Sequence, residues 1–240
     1  MRTLLFTPLL FSVSLLAQET DESAKELTPA EATRKSSLVI GHQNGIRAAQ
    51  SQMLTEDFDK AAFLEGFLMG LERKKLPFSP EEAREAMGQL QDKLTAREAV
   101  TAKKNLEAAK KFFEANREQK GVLETESGLQ YRIVTPGEGE ALGEKGLIGK
   151  EILAHYRGTL PDGTEFVSSG ELNPALLVLD EIIAGFREAL TLMKPKSKVV
   201  VFVPSDLAYG DQRRSSEIGP NQMLIFEIEL VEIREAPTAE

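Results

Sequence analysis

The chain has 240 residues, 28% of them charged and 41% hydrophobic, with a net charge of −9 and no cysteine. That length holds one or two domains with cores of their own. The acidic balance speaks against a nucleic-acid partner, which calls for a basic face, and the missing cysteines exclude a disulfide framework and thiol chemistry. Residues 1–17 begin with Arg2, are largely apolar from Leu4 to Leu16 and reach Ala17 just before the polar run Gln18–Asp21. This is the pattern of a secretory signal peptide, although Leu15 stands where cleavage prefers a small side chain. The apolar run is shorter than the roughly 20 residues a bilayer span needs. No membrane span is therefore expected in the mature chain, and its expected location is outside the cytoplasm, in a periplasm or on the outer cell surface.

Residues 18–35 are rich in Glu, Lys, Thr and Ala with few large apolar groups, which predicts a flexible lead-in. Helical periodicity starts at 36. Val39, His42, Ile46, Ala49 and Met53 share one face, and a second helix from about Thr55 carries Phe58, Ala62, Phe63, Phe67 and Leu71 on its apolar side. Large side chains are too few in this half to close a monomeric core, so residues 36–78 are expected to pair with a second copy, two-fold pairing being the commonest solution. After the break at Leu76-Pro77-Phe78, Ser79-Pro80-Glu81-Glu82 is a capping box with proline at the first helical position. From 89 to 120 there is neither proline nor glycine. A helix over 79–120 that continues to about Asn116 would approach 60 Å at about 1.5 Å per residue. Its apolar stripes, Ala83–Met87–Leu90–Leu94 and Ala99–Ala102–Leu106–Ala109–Phe113, are mostly small, and much of its surface is charged, which predicts a solvent-exposed stalk.

Residues 121–235 read as a second domain, with a short tail at 236–240. Leu129, Tyr131 and Ile133 alternate as its first strand. Further β-rich runs lie at 151–157, 198–203 and 222–233, and in the last of them Leu224, Phe226, Ile228 and Leu230 share a face. Between the runs, Phe186, Leu190 and Met193 fall at helical spacing. The fold class is therefore α+β, a helical N-terminal region followed by a curved antiparallel sheet packed on one short helix. His155 is the only histidine of this domain and there is no glycine-rich nucleotide fingerprint. No metal and no cofactor are expected, and His42 and His155 are read as packing or hydrogen-bonding residues.

The blocks His155-Tyr156-Arg-Gly-Thr-Leu, Asp162-Gly163-x-x-Phe166, Ile182-Ile183-x-Gly185-Phe186, Leu207-Ala-Tyr209-Gly210 and Gly219-Pro220-Asn221-x-x-Leu224-x-Phe226 occur in order across about 80 residues. Taken together they resemble the FK506-binding-protein (FKBP) family of peptidyl-prolyl isomerases. The order of signal segment, short helices, long helix and C-terminal domain is similar to the macrophage-infectivity-potentiator/FkpA-like branch, as are Val39-Ile40-Gly41-His42 and Ser127-Gly128-Leu129-Gln130-Tyr131. The resemblance implies a V-shaped homodimer with intertwined N-terminal helices, unfolded or proline-containing polypeptides as partners, and a capacity for FK506-type ligands. It also implies a site. Tyr156, Phe166, Ile182, Ile183, Phe186 and Phe226 would form apolar walls. The Ile183 N–H would bind a substrate carbonyl, Tyr209 would present its hydroxyl at the rim, and Ile218 would lie in the loop above. Arg213 and Arg214 fall near the mouth and are read as solvated.

The reaction so implied is rotation about an X–Pro bond, whose barrier of about 18–20 kcal/mol comes from amide resonance. It needs no acid, base or nucleophile. The planar amide is more dipolar than the twisted one, so a pocket that strips water from the bond favours the twisted state. Three positions depart from the family pattern. Val167 stands where aspartate usually follows the phenylalanine, Phe186 replaces the common tryptophan of the floor, and Leu177 replaces a wall phenylalanine. These changes predict isomerase activity one or two orders of magnitude below a typical member, about 1.4–2.7 kcal/mol of transition-state stabilisation, and weak binding of FK506-type ligands. Two functions compete: an exported isomerase assisting the folding of secreted proteins, and a dimeric chaperone whose proline cleft is vestigial.

Overall fold

In a computed structural model the described residues are 27–170 and 172–235. The expected signal peptide, most of the expected lead-in and the tail lie outside them. The chain falls into two units with the boundary at Gly45/Ile46. The first helix, α1, spans Pro29–Gln50 and buries none of its residues. It starts earlier than expected, inside the lead-in. The reason is a capping box formed by Thr28 and Glu31 around Pro29: the Thr28 N–H donates to Glu31 Oε2 at 2.9 Å and the Glu31 N–H to Thr28 Oγ1 at 3.3 Å.

In the second unit a 3₁₀ turn, Thr55–Asp57, leads to α2, Lys60–Leu71, capped by Asp59, whose carboxylate accepts from the Ala61 and Ala62 N–H groups. The third helix, α3, runs Pro80–Arg117, 38 residues, or about 57 Å. Its start is the expected capping box, with the Glu82 N–H donating to Ser79 Oγ at 3.2 Å and the Ser79 N–H to Glu82 Oε2 at 2.7 Å.

Seven strands form one antiparallel sheet: β1 (Val122–Glu124), β2 (Gln130–Thr135), β3 (Lys150–Thr159), β4 (Glu165–Ser168), β5 (Ala175–Leu177), β6 (Lys198–Val203) and β7 (Leu224–Glu235). The order is β1-β2-β6-β7-β3-β4, with β5 also pairing β3. A short helix, α4 (Ala184–Leu192), packs on one face. Phe186, Leu190 and Met193 are buried there against Val199, Val201 and Val203 of β6 and the Leu224–Leu230 face of β7. Each such side chain contributes about 1.5–3 kcal/mol through burial.

The run Lys198-Val-Val-Val-Phe-Val203 is apolar on both faces because both are covered. Odd-numbered valines face the main core. Val200 and Phe202 join Met223 and Ile225 in a second cluster with Ala109, Phe112 and Phe113 of α3. The C-terminal half of α3 therefore packs on the sheet, which corrects the picture of a helix in solvent along its whole length. A polar hub fixes its end. Gln130, fully buried, accepts from Asn116 Nδ2 at 2.8 Å and donates to the Phe113 carbonyl at 3.0 Å and to Glu124 at 2.8 Å. Arg117 closes on both oxygens of the same Glu124. Leu129, just before β2, is buried but Ile133 within it is half-exposed, so the inward alternation expected over Leu129, Tyr131 and Ile133 does not reach Ile133.

Candidate functional site

Between α4 and the sheet lies a cavity of about 520 Å³. Tyr156 comes from β3, Phe166 and Val167 from β4, Leu177 from β5, Ile182 and Ile183 from the turn before α4, Phe186 from α4, and Phe226 from β7. Tyr209 and Ile218 come from the loop between β6 and β7. The structure thus brings all ten residues singled out in the sequence to one wall. It adds Glu181, Arg214, Ser215 and Glu217 at the rim. Of these only Arg214 drew notice in the sequence, because charged loop residues carry no periodicity that would point them at a cavity.

The aromatic rings interlock edge to face. Phe186 lies 5.2 Å from Phe226 at 82°, Phe166 5.6 Å from Phe226 at 89°, and Tyr156 5.7 Å from Phe186 at 85°. Such pairs are worth about 0.5–1.5 kcal/mol beyond their burial and hold the rings in place. Gly158 makes the arrangement possible. A Cβ there would fall 2.7 Å from Phe166 Cζ and 2.7 Å from Val167 Cγ1, so only glycine lets β4 lean onto β3. The floor is dry: Phe186 is 4% and Phe226 5% exposed.

Two hydrogen-bonding groups belong to residues that line this apolar space, Ile183 and Tyr209. Ile183 is the N-cap of α4, with extended backbone (φ −64°, ψ 153°). Among the described residues no acceptor takes its N–H. The Tyr209 hydroxyl likewise has no protein partner among the described residues, and its ring carries the Arg214 guanidinium at 5.5 Å from the centroid. Glu217 at the rim is held below the usual carboxylate range by hydrogen bonds from Ser216 and Ser215, and so is ionised at neutral pH. His155 lies outside the cavity, with Nδ1 3.2 Å from the Gly170 carbonyl oxygen, and His42 is exposed on α1. Among the described residues no cluster of His, Cys, Asp or Glu could hold a metal ion.

A wider groove of about 1450 Å³ adjoins the cavity and shares Leu177 and Ile182 with it. Its lining mixes Glu144, Lys150, Asp180 and Arg187 with apolar residues, so it offers no dry seat for a prolyl ring. The smaller cavity does: it is lined by aromatics and branched aliphatics, and one of its lining residues, Ile183, has an N–H that no acceptor takes among the described residues.

Comparison with known proteins bears on the same residues. The family described as FKBP-type peptidyl-prolyl cis-trans isomerase matches residues 143–231, and the domain amino terminal to it matches 33–133. The FKBP-type peptidyl-prolyl cis-trans isomerase FkpA of Aeromonas hydrophila is 32% identical, covering 95% of this chain and 92% of its own. Outer membrane protein MIP of Legionella longbeachae is 34% identical over 75% of this chain and 78% of its own. Among solved structures, FkpA from Escherichia coli superposes with a TM-score of 0.59 at 26% identity, covering 92% of this chain and 100% of that one. Fold, cavity and relatives agree, and the chain belongs to the FKBP-type peptidyl-prolyl cis-trans isomerases.

Proposed function

We propose that this chain is an exported prolyl isomerase that assists the folding of other exported proteins, working through the cavity between α4 and the sheet. The observation that carries the reading is the free Ile183 N–H beside a cage of edge-to-face rings. A prolyl ring seated against Phe186 and Phe226 takes the preceding amide out of water. That loss costs the dipolar planar form more than the twisted one, and so lowers the barrier. The Ile183 N–H holds a substrate carbonyl so that the peptide stays in register while the bond turns. Tyr209 offers its hydroxyl at the rim. Binding is tighter in the transition state than in the ground state, and no proton needs to move.

Activity below that of a typical member follows from Val167 and Leu177, which line the cavity with aliphatic carbon. FK506-type ligands should bind weakly for the same reason. Export rests on the apolar stretch Leu4–Leu16 behind Arg2. Among the described residues no helix is long and apolar enough to cross a membrane. Residues 36–78 serve as the pairing region of a homodimer, 79–120 as the helix that carries the catalytic domain, and 121–235 as that domain.

A second reading is favoured by one observation: Val167 lines the cavity where the family phrase carries a carboxylate. In a chaperone with a vestigial cleft, two copies hold a client by avidity, without turnover. Refolding of a client whose slow phase is prolyl isomerisation separates the two readings. The wild type should accelerate that phase, and Tyr209→Ala should lower kcat/KM about tenfold, or about 1.4 kcal/mol. Equal refolding rates with both proteins, together with suppressed client aggregation, would select the chaperone.

A further inference from the structure

The loop that supplies Tyr209, Arg214, Ser215, Glu217 and Ile218 to the cavity is gripped from behind by α3. Arg213 turns away from the cavity and lies fork-on-fork against Glu98, Nε to Oε1 at 2.9 Å and Nη2 to Oε2 at 3.2 Å. Both side chains are largely covered, 17% and 27% exposed. The remaining terminal nitrogen of Arg213 donates to the carbonyls of Ser215 at 3.0 Å and Ser216 at 3.3 Å. Asn105 Nδ2 donates to the Pro220 carbonyl at 2.9 Å and Asn221 Nδ2 to the Ala102 carbonyl at 3.4 Å. At Gly219 a Cβ would fall 3.2 Å from Asn105 Nδ2 and 3.5 Å from Thr101 Cγ2, so helix and loop are in close contact there.

The grip reaches the cavity within one turn of chain. The Arg214 and Ser215 N–H groups donate to the Ile218 carbonyl at 2.9 and 3.3 Å, which folds the loop over and buries the Ile218 side chain to 4% exposure in the cavity wall. On the neighbouring residue of the helix, Arg97 reaches a different segment. It donates to both oxygens of Asp57, at 2.8 and 3.0 Å, and to the Gln52 carbonyl at 2.8 Å. Adjacent residues of α3 thus hold the segment before α2 with one side chain and the cavity loop with the next.

We propose that Glu98 is a positioning residue for the proline site, acting through Arg213 to set where Ile218 and the Arg214–Tyr209 pair stand. The proposal rests on reading the cavity as that site. Its physical content is simple. Without the carboxylate, Arg213 keeps only two loop carbonyls, the loop is tied to the helix only beyond Ile218, through Asn105 and Asn221, and the wall it forms shifts. Small misplacements of groups that seat a substrate are costly in rate.

The test uses the full chain, with Glu98→Gln as the isosteric variant and Glu98→Ala as the deletion. Isoleucine methyl spectra, with Ile218 assigned through Ile218→Val, are recorded beside kcat and KM for a prolyl peptide and a thermal melt. Both variants should displace the Ile218 methyl resonance. KM should rise more than kcat falls, and kcat/KM should drop about tenfold in Glu98→Ala and less in Glu98→Gln. An Ile218 methyl unchanged in both variants, with only the melting temperature lowered, overturns the proposal and leaves the pair a plain structural contact. A displaced methyl in a chain whose wild type turns over no prolyl peptide supports the coupling and removes the isomerase reading instead.

Discussion

An isopropyl group at Val167 faces the cavity where the family phrase carries a carboxylate, and it shares that wall with Tyr209 and Arg214. If the missing carboxylate is what slows the enzyme, restoring it should speed it. Val167→Asp should raise kcat/KM toward a prolyl peptide about tenfold, a gain of about 1.4 kcal/mol. It should also cost stability, because a carboxylate is placed among Phe166, Phe226 and Leu177, and an imperfectly partnered polar group there costs about 1–3 kcal/mol. Peptide kinetics and a thermal melt on the same sample check both halves. A variant with lower stability and unchanged turnover would show that position 167 does not limit the rate. At this scale the sequence was most legible. Tyr156, Phe166, Ile183, Tyr209 and Phe226 sit in ordered phrases, and all of them line the cavity. The roles of Glu98 and Gln130 were not legible, although Gln130 stands in a phrase shared with the family branch. Each acts through a partner distant in the chain, Arg213 and Phe113 among them, and a solvated charge or an ordinary strand glutamine reads the same until the fold brings the partner near.

At the scale of elements, the caps and the covered faces carry the argument. The box at Ser79–Glu82 was readable because serine, proline and glutamate stand at fixed offsets. The equivalent box at Thr28–Glu31 opens on a polar stretch, and the apolar face of that helix begins only at Val39, so its first turns went unread. The docking of α3 on the sheet was hidden because alanines dominate its inner stripe, leaving Phe112 and Phe113 to fill the seam with Phe202 and Met223. Two ion pairs hold α3, one to β1 of the sheet and one to the segment before α2. Arg117 first, then Gln130, holds the Glu124 carboxyl down to about 2. Arg97 first, then the Leu54 N–H and Lys93, holds Asp57 well below the usual carboxylate range. Both folded-state values lie under the unfolded ones of about 4. Their stabilisation is therefore fully present above about pH 4–5 and is lost as pH falls through that value toward about 2. Chemical denaturation across this range should show stability rising with pH and then levelling. Glu124→Gln and Asp57→Asn should each be less stable near neutrality and show a flatter acid limb. An acid limb as steep in the double variant as in the wild type would place the titration elsewhere.

For the whole molecule, the apolar groups that find no cover within one chain are the informative ones. Phe63, Leu64, Phe67, Leu68 and Leu71 of α2 are 43–67% exposed, as are Val39, Ile40 and Ile46 of α1 at 46–54%. Nothing approaches a Cβ built at Gly66 or Gly70, so this face of α2 is open along its length. Scattered exposed leucines need no explanation, but a run of phenylalanine and leucine on one 12-residue helix does. In the proposed homodimer a second copy of the chain would supply the matching face by two-fold symmetry, since each patch then covers its equivalent. Phe63→Glu with Phe67→Glu places two charges in that seam and should convert a dimer into a folded monomer in sedimentation. The peptide-level activity of the cavity should survive, because α2 lies far along the chain from every residue that lines it. A shortened chain makes the complementary test, and the packing of α3 fixes where to cut. Beginning at Gly121 would strip Ala109, Phe112 and Phe113 from the sheet and expose Phe202 and Met223. Beginning near Leu90 keeps that seam and the Glu98–Arg213 pair while removing α1 and α2. The shortened chain should sediment as a monomer and turn over prolyl peptides like the full chain. Its acceleration of whole-protein refolding should fall, because one cavity has lost the second arm that raises the effective concentration of client. Sedimentation as a dimer in both the double variant and the shortened chain would move the pairing surface off α1 and α2 altogether.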